Sequence, residues 1–227
     1  LERSAVAANE LGHPIVRDFP PGRSGFGHLC QTVTQDAAGF IYLANGVLAR
    51  YHDGARWPVI RLPTESAGIR KFATTADGTI YAGGAGIIGQ LRGAGENAEF
   101  VSLADRLPPT ELGGDDIFDV LAVGSTVYFA DEEKILIWRD GRFTLVPCRS
   151  PPNSRGAQLH RVGDTVYVTA PDRGLCRLVR DQLEVVAEDP VLRQNQIISI
   201  EPGAGGALVL LTAGQGFFQL AAGRVKS

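Results

Sequence analysis

The stretch from Ile80 to Leu91 reads IYAGGAGIIGQL and contains Gly84-Ala85-Gly86-Ile87-Ile88-Gly89, a formal match to the dinucleotide fingerprint G-x-G-x-x-G. Pyrophosphate binding by that fingerprint needs a strand before it and a helix after it, because the phosphates sit on the helix N-terminus. The strand is plausible, but the residues that follow, QLRGAGENAEF, place Gly93 and Gly95 where a helix would have to run. Each glycine costs about 1 kcal/mol in a helix relative to alanine. The other chemistry-bearing residues are dispersed. His13, His28, His52 and His160 are scattered along the chain with no nucleophile-elbow motif near them. Asp115-Asp116 and Asp131-Glu132-Glu133 are short acidic loops without the spacing of a calcium loop, and are expected to be solvated. Cys30, Cys148 and Cys176 form no C-x-x-C pair. They are expected as small, half-buried apolar residues in strands, with at least one free thiol. These residues predict no catalytic constellation, no metal site and no cofactor.

Composition narrows the partners. The 227 residues carry a formal net charge of −3, with lysines and arginines scattered rather than striped. That distribution gives no long-range attraction to nucleic acid or to an anionic lipid surface, so neither partner is expected. No apolar run approaches the roughly 18–20 residues of a membrane helix. The opening LERSAVAANELGH has neither a basic nor an apolar leader region, so any signal peptide is expected to have been removed.

What must position these residues is a repeat. IYLANGVLARY from Ile41 recurs as IYAGGAGIIGQL from Ile80, VYFADEEKILIW from Val127, VYVTAPDRGLCRL from Val166 and LVLLTAGQGFFQL from Leu208. Tyr42, Tyr81, Tyr128, Tyr167 and Val209 are then equivalent, with a mean step of about 42 residues, in the range of propeller blades. A turn precedes each copy (Asp36 to Gly39, Asp77-Gly78, Val123-Gly124, Val162 to Asp164, Gly203 to Gly206) and another follows it (Asn45-Gly46, Gly84 to Gly86, Asp131 to Lys134, Pro171 to Gly174, Ala213 to Gly216). These are hairpin signals. Further turns at Asp53-Gly54 and Asp140-Gly141 lead to a fourth apolar segment: RWPVIRLP, AEFVSLADRLP, RFTLVPC and QLEVVAE. Four short antiparallel strands per unit predict an all-β fold, a β-propeller of about five blades. The glycine-rich motif falls in a hairpin between second and third strands, its glycines serving a tight turn. Copy five ends at Ser227 with its fourth strand absent, while PIVRDFPP from Pro14 reads as a fourth strand ahead of copy one. Either that segment closes a five-bladed ring or the chain is part of a larger propeller. Residues 1–13 are expected as an N-terminal extension and 14–227 as the propeller.

The segments TVTQDAAGFIYLANGVLARYHDGARW (from Thr32), TTADGTIYAGGAGIIGQL (from Thr74) and TVYFADEEKILIWRDGRF (from Thr126) resemble the two-component regulator propeller, found in the extracytoplasmic sensor regions of bacterial hybrid histidine kinases and related signalling proteins. The likeness runs over nearly the whole chain from Pro14. It implies a periplasmic, non-catalytic sensor module whose stimulus is a glycan fragment or another small molecule.

Propeller ligands enter the funnel where first strands begin. By repeat position that rim comprises Arg23 to His28, Glu65 to Arg70, Gly113 to Asp116, Asn153 to Arg155 and Arg193 to Gln196. The candidate ligand-binding residues are Arg23, Phe26, His28, Arg70, Asp115, Asp116, Arg155, His160, Gln194 and Asn195, with His28 and His160 near enough to strand starts to face the channel. His52, beside Asp53-Gly54, is expected to be solvated. Two other readings stand against the sensor: a propeller enzyme of lyase or lactonase type, and an architectural module that forms a homodimer.

Overall fold

The computed structural model describes residues 30–45, 49–52, 56–63, 67–108, 116–148, 156–170 and 173–226, and the side chains of Ala49 and Gln194 lie outside the description. The domain boundary expected near residue 14, and the strand expected at PIVRDFPP, fall outside these residues.

The fold is an all-β propeller with five antiparallel sheets among the described residues. The first blade holds β1 (Thr32–Gln35), β2 (Ile41–Ala44) and β3 (Ala49–His52). The second holds β4 (Gly68–Thr74), β5 (Ile80–Ala85), β6 (Ile87–Arg92) and β7 (Glu99–Ser102); the third β8 (Asp119–Val123), β9 (Thr126–Ala130), β10 (Lys134–Arg139) and β11 (Arg142–Pro147). The fourth holds β12 (Gln158–Val162), β13 (Thr165–Ala170), β14 (Gly174–Val179) and β15 (Gln182–Ala187). A single α-helix among the described residues, α1 (Pro190–Gln194), leads to the fifth: β16 (Ile197–Pro202), β17 (Leu208–Thr212), β18 (Gly216–Ala221) and β19 (Arg224–Lys226). Strands pair in sequence order within each blade, and the first strand of each blade lies beside that of the next.

Turn chemistry sets the blade meanders. Asp140-Gly141, Arg180-Asp181 and Ala222-Gly223 have positive φ at both central positions and join third to fourth strands as two-residue hairpins. That geometry matches the right-handed twist of the strands it connects. In the first blade, Asp36 Oδ1 accepts from the Ala38 and Phe40 amides, and Oδ2 accepts from the Tyr42 hydroxyl at 2.6 Å. The Tyr42 oxygen in turn accepts from Gly95 N–H in the second blade. Burial first, and the Asp36 carboxylate second, raise the Tyr42 hydroxyl pKa well above its ordinary value. In the first blade the aspartate turn and the tyrosine are therefore one device, a turn cap that also ties it to the second blade.

The core is four separate interblade layers. Tyr42, Tyr51 and Ile60 meet Ile69, Phe72 and Ile80; Tyr81 and Ile88 meet Val120, Val127 and Phe129. Tyr128, Ile135 and Ile137 meet Leu159, Val166 and Val168; Leu175 and Ala187 meet Ile200, Leu210 and Phe218. Along β5, Ile80 and Ala82 face the first blade and Tyr81 the third, as a period of two requires. Burial on both faces explains the nearly continuous apolar runs of the second strands.

Several expectations are corrected. The fifth blade has its fourth strand: β19 pairs with β18 through the two-residue Ala222-Gly223 turn, which lets three residues suffice. Among the described residues it is the first blade that has three strands, and of RWPVIRLP Val59 alone bridges, to Arg50. His52 is buried, its ring 4.5 Å from that of Trp57, because it closes β3 over that indole. Asp131 is buried too: Oδ1 accepts from the Glu133 and Lys134 amides, and Oδ2 lies 3.3 Å from Lys134 Nζ, so it caps its hairpin. Desolvation raises its pKa against those bonds. Cys148 and Cys176 are fully buried while Cys30 is exposed, and only Cys176 lies within a strand.

The glycine-rich motif is a β5–β6 hairpin, with Gly84 opposite Ile87 and Ala85-Gly86 between them. Its glycines divide their work. Gly86 supplies the positive φ, 63°, and has open space where a Cβ would stand. Gly84 belongs to the strand, and a Cβ there would collide with the Gly68 carbonyl and the Arg70 amide. The motif therefore brings β4 close to β5 in place of cradling a phosphate.

Candidate functional site: the channel mouth

At the ends where first strands begin, the blades border a half-open cavity of about 460 Å³ lined by Arg70, Lys71, Phe118, Asp119, Gln158 and Gln196, with Ala157 at its wall. The size and the mixture of apolar wall and convergent polar groups are those of a small-molecule site. Four blades contribute: the second through β4, the third through the entry to β8, the fourth through β12 and the fifth just ahead of β16.

Successive strand residues point to opposite faces, so Arg70 and Lys71 would not ordinarily share a cavity. A bulge resolves this. Ile69 pairs with Gly84 and Lys71 with Gly83, leaving Arg70 as the extra residue between them. Bulges re-aim side chains in this way. The segment carrying Asp116 and Phe118 is pinned from below: Ile117, 2% exposed, occupies the space that Gly83 leaves by lacking a Cβ, and its N–H donates to the Gly84 carbonyl at 3.0 Å. The glycines of the opening motif thus hold the site together on two sides.

Arg70 Nη2 donates to Asp116 Oδ2 at 2.8 Å, and the guanidinium carbon stands 5.0 Å from the Phe118 ring centroid. Arg70 Nη1 is shielded from water and has no acceptor among the described residues. Lys71 Nζ lies 3.9 Å from Asp119 Oδ1. The Asp119 carboxylate accepts from Val120 N–H through Oδ1 and from Leu159 N–H of the next blade through Oδ2. Burial raises its pKa, and the two amides and Lys71 oppose that rise. Two residues along β12 from Gln158, and so on the same strand face, His160 is half-buried with Nε2 3.2 Å from Thr169 Oγ1. Desolvation, and after it the Lys71 ammonium, lower its pKa to about 4. His160 is neutral at pH 7.

Of the residues expected at the rim, the structure brings together Arg70 and Asp116 at the cavity and places His160 one turn of the strand pleat deeper. Asn195 is at the rim but occupied structurally: its amide donates to Val191 O and closes α1, whose start is capped by Asp189. The Gln194 side chain, and Arg23, Phe26, His28, Asp115 and Arg155, lie outside the described residues. Gln196 stands at the end of the expected rim segment. Lys71, Phe118, Asp119 and Gln158 were not anticipated. A signal for three of them exists in the repeat: Thr32, Lys71, Asp119, Gln158 and Ser199 pair opposite the residue two beyond Tyr42, Tyr81, Tyr128, Tyr167 and Val209, and all five are polar. Among the described residues no group of three or more His, Cys, Asp or Glu is arranged to hold a metal ion.

No family model matches the chain, and no curated protein matches it in sequence. Similar solved structures include virginiamycin B lyase from Staphylococcus aureus, at 14% identity and a TM-score of 0.62 over 87% of this chain and 68% of that one. They also include the extracellular domain of a one component system from B. thetaiotaomicron (16% identity, TM-score 0.61, 88% of this chain and 28% of that one) and that of a hybrid two component system from the same organism (15%, 0.54, 85% and 33%). The chain spans about a third of these two sensor-region chains. At such identities the likeness is one of fold: the chain is a β-propeller, a fold that these extracellular domains and the lyase also have.

Proposed function

We propose that the chain is a non-catalytic, ligand-binding propeller module in the extracytoplasmic, periplasmic part of a bacterial signal-transduction protein, taking a glycan fragment or another small molecule at the channel mouth. The observation that carries this reading is the mouth itself. Four blades direct charged, amide and aromatic side chains into one cavity, and among the described residues a guanidinium nitrogen there lacks an acceptor. The fold shared with extracellular sensor domains supports the placement.

The test is retention of ligand. Purified protein is incubated with a mixture of oligosaccharide fragments and analysed by native mass spectrometry, beside Gln158→Trp, which fills the mouth. Bound species in the parent and none in a Gln158→Trp variant with unchanged circular dichroism is the expected result. Equal retention by both would defeat the reading.

The enzyme alternative has one group in its favour, the neutral imidazole of His160 beside the channel. A base needs a substrate proton within hydrogen-bond reach. New products in the incubation, lost on His160→Gln, would establish that alternative.

A further inference from the structure

The hydrogen-bonding capacity of the mouth is unbalanced although its formal charge is not. Two cations, Arg70 and Lys71, face two carboxylates, Asp116 and Asp119. Asp119 is consumed by the scaffold, with both oxygens accepting backbone amides of β8 and β12. Its neighbour Lys71 carries three N–H donors. Among the described residues its one polar contact is the 3.9 Å approach to Asp119, beyond hydrogen-bond reach. Asp116 holds Arg70 through Nη2, and among the described residues Nη1 has no acceptor. Among the described residues neither cation is fully engaged by protein acceptors, Lys71 being half exposed to solvent, while the more buried carboxylate has its oxygens engaged. Unsatisfied charged donors around a cavity are a demand for acceptor oxygens, and a carboxylate meets it with the shortest and strongest bonds.

We propose that the mouth recognises a carboxylate-bearing ligand of sugar-acid size, with Lys71 as its principal cationic donor and the guanidinium of Arg70, oriented by Asp116 and Phe118, as the second. This rests on the ligand-binding reading above and names its chemical class. The cavity of about 460 Å³ accommodates a pyranose ring, and the Gln158 amide offers both a donor and an acceptor for hydroxyls.

Isothermal titration at fixed ionic strength with D-glucuronate, D-glucose and succinate tests it. Glucuronate is expected to bind at least about tenfold more tightly than glucose, and Lys71→Gln to weaken glucuronate by about ten- to a hundredfold with glucose unchanged. Lys71→Arg is expected to restore much of the loss. Arg177→Gln, which removes an exposed cation paired with Glu184 on the fourth blade, should alter none of these values. Succinate binding as tightly as glucuronate would support recognition of the carboxylate itself; succinate failing where glucuronate binds would support recognition of the acid on a sugar ring. Glucose equal to glucuronate, or glucuronate indifferent to Lys71→Gln, overturns the acid class while leaving a neutral-ligand module intact. If none of the three binds, the inference also falls, and the oligosaccharide retention experiment then decides the wider reading by itself.

Discussion

The junction between the first and second blades and that between the third and fourth are built at the same register position with different residues. At the first, the Thr32 hydroxyl accepts from Phe72 N–H at 3.2 Å; at the other, Asp119 Oδ2 accepts from Leu159 N–H at 2.9 Å. The donor in both cases is a first-strand amide of the following blade. Between the second and third blades the same position holds Lys71, which has no acceptor to offer, and the Val120 amide there is satisfied by Asp119 Oδ1 instead. A neutral hydroxyl suffices where the junction only has to hold. Where it borders the cavity, the position holds a longer polar or charged side chain (Lys71, Asp119 or Gln158), and at Asp119 adhesion between blades and the chemistry of the mouth depend on the same side chain. The candidate site is therefore cut into the interblade seams.

The sharpest way to break that comparison is Asp119→Ala. It orphans two buried amides and strips Lys71 of its counter-charge, so a loss of about 3–5 kcal/mol in urea denaturation is expected. A loss below about 1 kcal/mol would mean that the carboxylate is not structural.

Acid separates the two junctions next. His160, held to about pKa 4 on folding against an ordinary 6.5, takes up its proton less readily in the native state than in the unfolded one. Stability from this group is therefore full above pH 6.5 and lost as pH falls toward 4, by about 2–3 kcal/mol. Asp119 acts in the opposite sense. Its raised pKa means that the folded protein takes up the carboxyl proton first, so it contributes stability at low pH that is lost as pH rises through the folded value. Comparing the parent with His160→Gln at pH 7 and at pH 4.5 isolates the imidazole; the variant should lose distinctly less stability on acidification.

Thr32→Val sharpens the neutral side of the comparison. It removes the acceptor for Phe72 N–H while keeping the volume, and about 1–2 kcal/mol should be lost, measurably less than for Asp119→Ala. The smallest effect is expected at the motif whose glycines support the second and third blades. Gly86→Ala has room for its methyl but must adopt positive φ, at a cost of about 1 kcal/mol read as a fall in denaturation midpoint. Nucleotides should not change the melting temperature of either form.

Much of the architecture was legible because a repeat reports itself. The five copies, their hairpin turns and the glycine motif as a β5–β6 turn follow from local residue types at a fixed step. Arg70 and Asp116 were found because loops at strand starts recur with the same period. Lys71 was not, since in an unbulged strand it and Arg70 face opposite ways, and the bulge depends on how Gly84 lets two backbones approach. His52 and Asp131 read as exposed loop polars, and their burial came from an indole and a hairpin that no local pattern announces.

Residue types along the chain announce its β character, the blade repeat and the hairpins that open each copy, because glycine, aspartate and alternating apolar residues act through short-range sterics and hydrogen bonds; the terminal strands of the first and fifth blades were not legible that way. Only the tertiary structure decided which polar side chains converge. That depends on the register of each first strand against its second strand and on the packing of one blade on the next. A shift of one residue in either would have turned Lys71, Asp119 and Gln158 away from the mouth, since side chains alternate faces with a period of two.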